Sequence, residues 1–292
     1  HLFQALPPKC RLILVGDADQ LPSVGPGAVL SELISCGKVP VAMLDKVFRQ
    51  SEGSRIAENA QAVRRGISEL DYGEDFHFWN SSDLRKSADW LEQLYIRAVN
   101  QFGVDNVALL TPFRKKTETG VYALNERLRD KVNPPDPGKP ELAMGRRVFR
   151  LGDKVMQTRN SEEISNGDIG YVRAISREGN DWCVEVDFGD GRTANYENAE
   201  DLRKLELAYA STIHKSQGSE YDAVLISLQN AHGRMLKRPL IYTGITRAKR
   251  SVMIVGDWAA LEQAIYTTDI EQRNTHLAAR IKELIEAQDG KA

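Results

Sequence analysis

The chain has 292 residues, of which 41% are hydrophobic and 27% charged, and its net charge is −2. This composition is typical of a soluble globular protein and argues against a uniformly basic nucleic-acid-binding chain. Three widely separated cysteines without a Cys-x-x-Cys pair argue against a disulfide framework or a zinc site, and no apolar run has membrane-spanning length. We therefore expect a cytoplasmic protein with no membrane partner. The sequence begins at His1 rather than Met, so we also expect it to be part of a longer chain.

Strands and helices alternate along most of the chain, which predicts an α/β fold with a parallel sheet. The predicted strands are residues 10–16, 39–44, 76–79, 106–110, 223–228 and 251–256. The predicted helices are residues 28–35, the segment around Ile56, Ala60 and Val63, and residues 87–102, 121–132, 257–265 and 276–286. The tryptophans Trp79, Trp90 and Trp258 are assigned to the core.

The pattern changes between about residues 147 and 206. Short strands there are separated by the turns Asn166-Gly-Asp, Gly179-Asn and Gly189-Asp-Gly. Closely spaced turns without helices predict a small antiparallel β-barrel inserted into the α/β unit. Asn166-Gly-Asp is interpreted as a hairpin turn rather than a contact site.

Charge is distributed unevenly along the sequence. Residues 111–160 carry 12 Lys and Arg against 6 Asp and Glu, whereas residues 161–206 carry 5 against 12. Residues 231–256 carry 6 basic residues and no acidic ones. Two basic segments that flank an acidic one suggest a basic groove beside a separately folded insert, although solvated faces would give the same pattern.

A polar stretch directly precedes the predicted strand at 223–228. Ser211, Thr212, His214 and Ser216 can all donate hydrogen bonds to phosphate, and Gly218 would let a backbone come close. Sites in α/β proteins gather where strands end. The alternative is a capped helix that runs into a core strand.

Other candidates lie at predicted strand and helix ends. Asp17, Asp19 and Gln20 follow a predicted buried strand and can contact a phosphate or an attacking water, or simply form an Asp-rich turn. Arg49 and Arg247 can reach one phosphate as charge-assisted donors, although a lone Arg is most often solvated. The sequence contains no Gly-x-x-x-x-Gly-Lys-Ser/Thr loop, so we do not expect this chain alone to hydrolyse ATP.

Four of these stretches, in this order, resemble motifs III to VI of the RecD/TraA-type helicases, the 5′→3′ branch of superfamily one. They are residues 16–27 (GDADQLPSVGPG), 47–50 (VFRQ), 212–222 (TIHKSQGSEYD) and 242–249 (YTGITRAK). Residues 150–157 together with 166–170 resemble the SH3-like barrel of RecD-like members. The sequence departs from the family in lacking motifs I, Ia and II, so the resemblance implies the C-terminal part of a helicase.

The resemblance implies four parts. Residues 1–45 would be the C-terminal remnant of a first RecA-like motor domain, and residues 46–146 with 207–270 would form the second motor domain. Residues 147–206 would be the SH3-like barrel, and residues 271–292 a C-terminal helix and tail.

In the intact enzyme, the resemblance implies ATP and Mg²⁺ between the two motor domains, with the Mg²⁺ ligands outside this chain. Gln20 would sense the γ-phosphate, while Arg49 and Arg247 would approach it from the second domain as catalytic arginines. Gly218 and Glu220 would help to hold the nucleotide. Gln20, Arg49, Glu220 and Arg247 are thus expected to line one nucleotide-facing wall.

The resemblance also implies that the protein contacts the backbone of single-stranded DNA, so binding should be salt-dependent and nearly sequence-blind. The residues implied for these contacts are Pro112, Arg114, Thr212, His214, Lys215 and Gln217. Further implied partners are the missing N-terminal motor domain and RecB- or RecC-like subunits.

Two alternatives remain open at this point. The chain could be a non-catalytic DNA- or protein-binding scaffold derived from a helicase, because the P-loop is absent, or the helicase part of a conjugative relaxase. SH3-like barrels also bind DNA or proteins, but the acidic charge of this insert argues against phosphate contacts except near Arg146, Arg147 and Arg150.

Overall fold

The computed structural model describes residues 2–22, 27–44, 53–115, 117–145, 147–178, 181–268 and 275–289. Arg49, the whole 47–50 stretch and Arg146 lie outside these residues. The chain divides into two compact units, one formed by His1–Lys46 with Asp269–Ala292 and the other by Val47–Thr268. None of the helices in the described ranges is long and apolar enough to cross a bilayer.

The elements are numbered in chain order. The helices are α1 (Leu2–Ala5), α2 (Val29–Ser35), α3 (Arg55–Arg65), α4 (Leu84–Phe102), α5 (Val121–Val132), α6 (Ala199–Leu202), α7 (Arg238–Ile245), α8 (Trp258–Tyr266) and α9 (Leu277–Asp289). The strands are β1 (Phe76–Asn80), β2 (Val107–Thr111), β3 (Glu141–Met144), β4 (Arg147–Arg150), β5 (Lys154–Gln157), β6 (Ile169–Glu178), β7 (Asp181–Asp187), β8 (Thr193–Tyr196), β9 (Leu205–Leu207), β10 (Ala210–Thr212), β11 (Tyr221–Leu228) and β12 (Ala248–Gly256). Short 3₁₀ turns lie at Val104–Asn106, Ile213–Ser216 and Asn230–Met235.

The larger unit is built on a five-stranded sheet in the order β1-β12-β11-β2-β10, and all four pairings are parallel. Every residue of β2 and the last six of β11 are buried, as expected for strands covered on both faces. Helices α4 and α5 pack on one face through a shared apolar core. Helix α7 covers the opposite face, where Gly244 brings it close to Ile226. The predicted parallel sheet is confirmed.

Helix α4 shows how local sequence sets an element. Its apolar residues Leu91, Leu94, Tyr95 and Ala98 recur at helical spacing and are buried. The helix begins three residues earlier than predicted because the Asp83 carboxylate accepts hydrogen bonds from the amides of the first turn, Arg85 N at 2.8 Å and Lys86 N at 3.0 Å.

The segment between α5 and β10 forms a second, antiparallel sheet in the order β8-β7-β6-β5-β9, beside the β3–β4 hairpin. Its core contains Phe149, Val155, Val184 and Leu205, among other apolar residues. The antiparallel architecture is as predicted, and closure into a barrel stays a prediction. We call residues 141–207 the antiparallel region.

Buried polar groups tie the antiparallel region to the parallel sheet. The Tyr209 hydroxyl donates to Asp153 Oδ1 at 3.1 Å and accepts a hydrogen bond from Lys154 N at 3.2 Å. Asn133 Nδ2, at the end of α5, donates to the same carboxylate oxygen at 2.9 Å. Burial raises the pKa of Asp153, and the hydrogen bonds from Asn133, Arg150 N and Tyr209 oppose that shift.

In the smaller unit, the prediction of two buried strands is wrong. Residues 10–16 and 39–44 form no strand, and several of their apolar side chains are exposed, with Val15 at 90% and Leu44 at 89%. Apolar sequence alone does not make a buried strand, because the neighbouring strands must also be present, and the described part of this unit contains none. Helix α2 instead contacts the segment around α9, where Glu32 Oε2 accepts a hydrogen bond from Ala278 N at 3.3 Å.

The assignment of Trp258 to the core is also wrong. Its relative exposure is 37%, and it is the first residue of helix α8. One edge of its ring packs against Phe78, with ring centroids 5.2 Å apart. Trp79 and Trp90 are partly buried and pack against the core of α4 and the parallel sheet.

Candidate nucleotide and nucleic-acid sites

Residues 213–220 carry the chain from one edge of the parallel sheet to the other. Thr212 ends β10 opposite Thr111, the last residue of β2, so it lies at the carboxyl edge. Tyr221 begins β11 opposite Ala248, so it lies at the amino edge. The predicted DNA residue Thr212 and the predicted nucleotide residue Glu220, although close in sequence, are therefore at opposite edges of one sheet.

At the amino edge, Arg247 is held by the backbone around it. Its side chain is almost fully buried, with Nε 3.2 Å from Thr243 O and Nη1 3.2 Å from Ser219 O. Nη2 lies 3.4 Å from Thr246 Oγ1. The guanidinium thus joins the end of α7 to the segment that precedes β11, and its planar donors are fixed in direction.

Two other predicted nucleotide residues lie beside Arg247. Gly218 has φ +84°, and a Cβ there would meet no atom within 4 Å, so a ligand could approach this backbone closely. Glu220 is half-exposed, with Oε2 3.4 Å from Lys249 Nζ. The structure therefore brings Gly218, Glu220 and Arg247 together at one edge.

Gln20 belongs to the smaller unit. Its Nε2 donates to Asp17 Oδ2 at 3.0 Å, and Asp17 Oδ1 accepts from Asp19 N at 3.0 Å. Asp17 thus forms the Asp-rich turn that was the alternative interpretation of this loop. With Gln20 and Arg247 in different units and Arg49 outside the described residues, the common nucleotide-facing wall stays a prediction.

At the carboxyl edge, three predicted DNA residues surround one small cavity of about 10 Å³. Arg114 follows β2, and Thr212 and Lys215 end and follow β10. The antiparallel region contributes Met156 and Glu206 to the same lining. Pro112, His214 and Gln217 lie in the same loops but do not line the cavity.

Carboxylate and cationic groups meet at this cavity. Glu206 Oε2 lies 3.5 Å from Arg114 Nη2, and Glu206 Oε1 accepts a hydrogen bond from the Tyr122 hydroxyl at 2.9 Å. Burial lowers the pKa of Lys215, the Arg114 guanidinium lowers it further, and Glu206 opposes the shift. Burial also lowers the pKa of His214. Sequence reasoning missed Glu206 and Tyr122, since nothing local links positions 84 apart.

A buried histidine at the carboxyl edge was also missed. His232 Nδ1 accepts a hydrogen bond from Gln229 N at 3.0 Å, so the neutral ring carries its proton on Nε2. That nitrogen is buried without a partner among the described residues. The ring packs edge-on against Phe113 with centroids 5.0 Å apart. This contact holds Phe113 in place between the predicted DNA residues Pro112 and Arg114.

Comparison with known proteins shows which helicases this chain is similar to. Residues 124–188 match the family model of the ATP-dependent RecD-like DNA helicase SH3 domain, and residues 207–255 match that of the UvrD-like helicase C-terminal domain. An AAA domain model matches residues 1–83. The ATP-dependent RecD2 DNA helicase of Deinococcus radiodurans is 36% identical over 96% of this chain. The chain is thus RecD-like in sequence over most of its length.

The RecBCD enzyme subunit RecD of Mycobacterium tuberculosis is another relative, 32% identical over 91% of this RecD-like chain. The chain spans 48% of that subunit and 37% of the Deinococcus enzyme, so it covers half or less of these relatives. Among solved structures, the Pif1 helicase from Bacteroides in complex with ADP-AlF3 and ssDNA aligns with 93% of this chain and 66% of its own, with 19% identity and a TM-score of 0.48.

Within the described residues of this RecD-like chain, no group of three His, Cys, Asp or Glu side chains is placed to hold a metal ion. The residues that the structure does assemble suit anions: arginine, lysine and hydroxyl donors at both edges of the sheet.

Proposed function

We propose that this RecD-like chain is part of an ATP-dependent DNA helicase that moves 5′→3′ along single-stranded DNA. The main supporting observation is that the candidate DNA residues and the candidate nucleotide residues lie at opposite edges of the parallel sheet. Thr212 and Arg114 lie at the carboxyl edge of the sheet, whereas Gly218, Glu220 and Arg247 lie at the amino edge. A motor needs separate nucleotide and track sites that are mechanically connected, and residues 213–220 connect these two.

At the nucleotide edge, Arg247 acts as a catalytic arginine. Its donors now bond to carbonyl and hydroxyl oxygens at 3.2–3.4 Å, and a γ-phosphate would replace these neutral acceptors with a charged one. A guanidinium there stabilises the charge that develops during phosphoryl transfer. Gln20 and Arg49 complete the proposed set, and Mg²⁺ is held by residues outside this chain.

The smaller unit supports a further motor domain as a partner. Ile13, Val15, Met43 and Leu44 expose between 63% and 90% of their surface along two extended segments. Apolar segments of this kind are stable when paired with other strands. We propose that the remaining strands of a RecA-like domain cover them, and that assembly with RecB- or RecC-like subunits is a further option for the complete cytoplasmic protein.

The test is DNA-stimulated ATP hydrolysis by the full-length protein. Arg247→Ala is expected to lower turnover by about a thousandfold, and Arg247→Lys by about a hundredfold because lysine lacks the planar fork. Arg250→Ala is the matched control, an exposed arginine three positions along β12, and should stay within about twofold of wild type. Wild-type turnover in folded Arg247→Ala would refute the arginine assignment.

A non-catalytic scaffold is the second candidate, favoured by the absence of a P-loop motif from these 292 residues. A scaffold would also bind DNA at the carboxyl edge of the sheet, but its amino edge would have no catalytic role. A full-length protein that binds single-stranded DNA and shows no ATP turnover would establish the scaffold and end the helicase proposal.

A further inference from the structure

Glu206 is an acidic residue in the middle of the proposed DNA site. It comes from β9, the last strand of the antiparallel region, and its side chain is only 13% exposed. Both carboxylate oxygens have partners from the parallel-sheet region, Arg114 Nη2 at 3.5 Å and the Tyr122 hydroxyl at 2.9 Å. The carboxylate is therefore held in place rather than solvated.

The groups around this carboxylate are those that bind phosphate. Arg114 offers a guanidinium, Lys215 an ammonium and Thr212 a hydroxyl around the cavity. The Lys215 ammonium lies 3.4 Å from the Met156 sulfur, which is a weak acceptor and leaves its donors available for an anion. Glu206 lines this cavity together with those donors, and the volume of about 10 Å³ is room for roughly one water.

We propose that the Glu206 carboxylate occupies the position of a backbone phosphate, so that single-stranded DNA must displace it to reach Arg114 and Lys215. The inference rests on the proposed function, and it gives the antiparallel region a role in DNA binding: it supplies an internal competitor for the strand.

The strength of the contact suits displacement. The Arg114 side chain is 45% exposed, so solvent screens its ion pair with Glu206 and the pair is weak. A phosphate is an equally good partner for Arg114 and Lys215. Glu206 therefore lowers DNA affinity without closing the site permanently.

The experiment measures binding of a fluorescent oligo-dT to the full-length protein by anisotropy, across a salt titration. Glu206→Gln keeps the shape and an acceptor for Tyr122 but removes the charge, and affinity should rise about three- to tenfold. The slope of log K against log salt should steepen by up to about one, because a displaced Glu206 takes up a cation and a glutamine does not.

Two variants make the result specific. Glu197→Gln removes the same charge from an exposed position on the antiparallel region and should change affinity less than twofold. Tyr122→Phe leaves every charge in place but removes the hydroxyl that holds the carboxylate, and it should give a smaller gain. Thermal unfolding checks that each variant is folded.

The outcomes separate the two proposals. Equal effects of Glu206→Gln and Glu197→Gln, or weaker binding by Glu206→Gln, would overturn the displacement of Glu206 and leave the DNA site standing. Arg114→Gln should weaken binding; if it binds DNA like wild type, the proposed DNA edge is wrong and the role of Glu206 falls with it.

Discussion

At the scale of single residues, His232 links the fold to pH. Burial lowers its pKa to about 4, well below the usual value of 6.5, and its ring supports Phe113 at the proposed DNA edge. As the pH falls below 6.5, His232 binds a proton in the unfolded chain but stays neutral in the folded protein. The stability that neutral His232 contributes at neutral pH is therefore lost progressively as the pH falls towards 4.

We expect wild type to lose about 2 kcal/mol of unfolding free energy through His232 between pH 7 and pH 5. His232→Gln should lose that much less over the same interval, because glutamine does not titrate. The measurement is urea unfolding at both pH values. Replacement of the exposed His276 by glutamine is the control and should follow wild type; a parallel loss in His232→Gln would contradict the assignment.

A pair of tyrosines tests the value of a buried hydroxyl. Tyr209→Phe removes the bonds to Asp153 and Lys154 and should cost about 1–3 kcal/mol of stability. Tyr72→Phe should be neutral or stabilising, because the Tyr72 hydroxyl is buried with no partner among the described residues. Denaturant unfolding of both variants checks this contrast, and equal costs would refute it.

At the scale of elements, the Asp83 cap makes a separate prediction. Asp83→Ala removes the acceptor for two amides of α4 and should lower the unfolding free energy by about 1 kcal/mol. Asp181→Ala, at the exposed start of β7, should stay within about 0.5 kcal/mol of wild type. Chemical denaturation gives both values, and no difference between the two variants would show that the cap is not stabilising.

The elements also show what sequence can and cannot predict. Helix α5 was predicted at its observed bounds, because residues 121–132 have clear helical spacing and end before Asn133-Pro134. Residues 10–16 are richer in apolar residues than α5, yet the strand predicted there is wrong, because a strand depends on distant neighbours. The roles of Glu206 and His232 were invisible for the same reason: each depends on a contact that the fold creates.

At the scale of the whole molecule, the antiparallel region and the parallel sheet share buried polar groups around Asp153 and Tyr209. Because leaving these groups unpaired is costly, the larger unit should unfold in one transition. The urea unfolding curves measured by fluorescence and by circular dichroism should therefore coincide. Separate transitions would show that the two regions are independent.

The segment 213–220 also limits what evolution or engineering can change. Four of its eight residues form a 3₁₀ turn, and a second turn follows directly, in which Ser219 N donates to Ser216 O at 3.1 Å and Gly218 has φ +84°. Two successive hydrogen-bonded turns therefore fix the path of the chain between the two edges. Two glycines inserted after Gly218 should therefore leave each edge able to bind its ligand, but DNA bound at one edge should no longer affect ATP hydrolysis at the other.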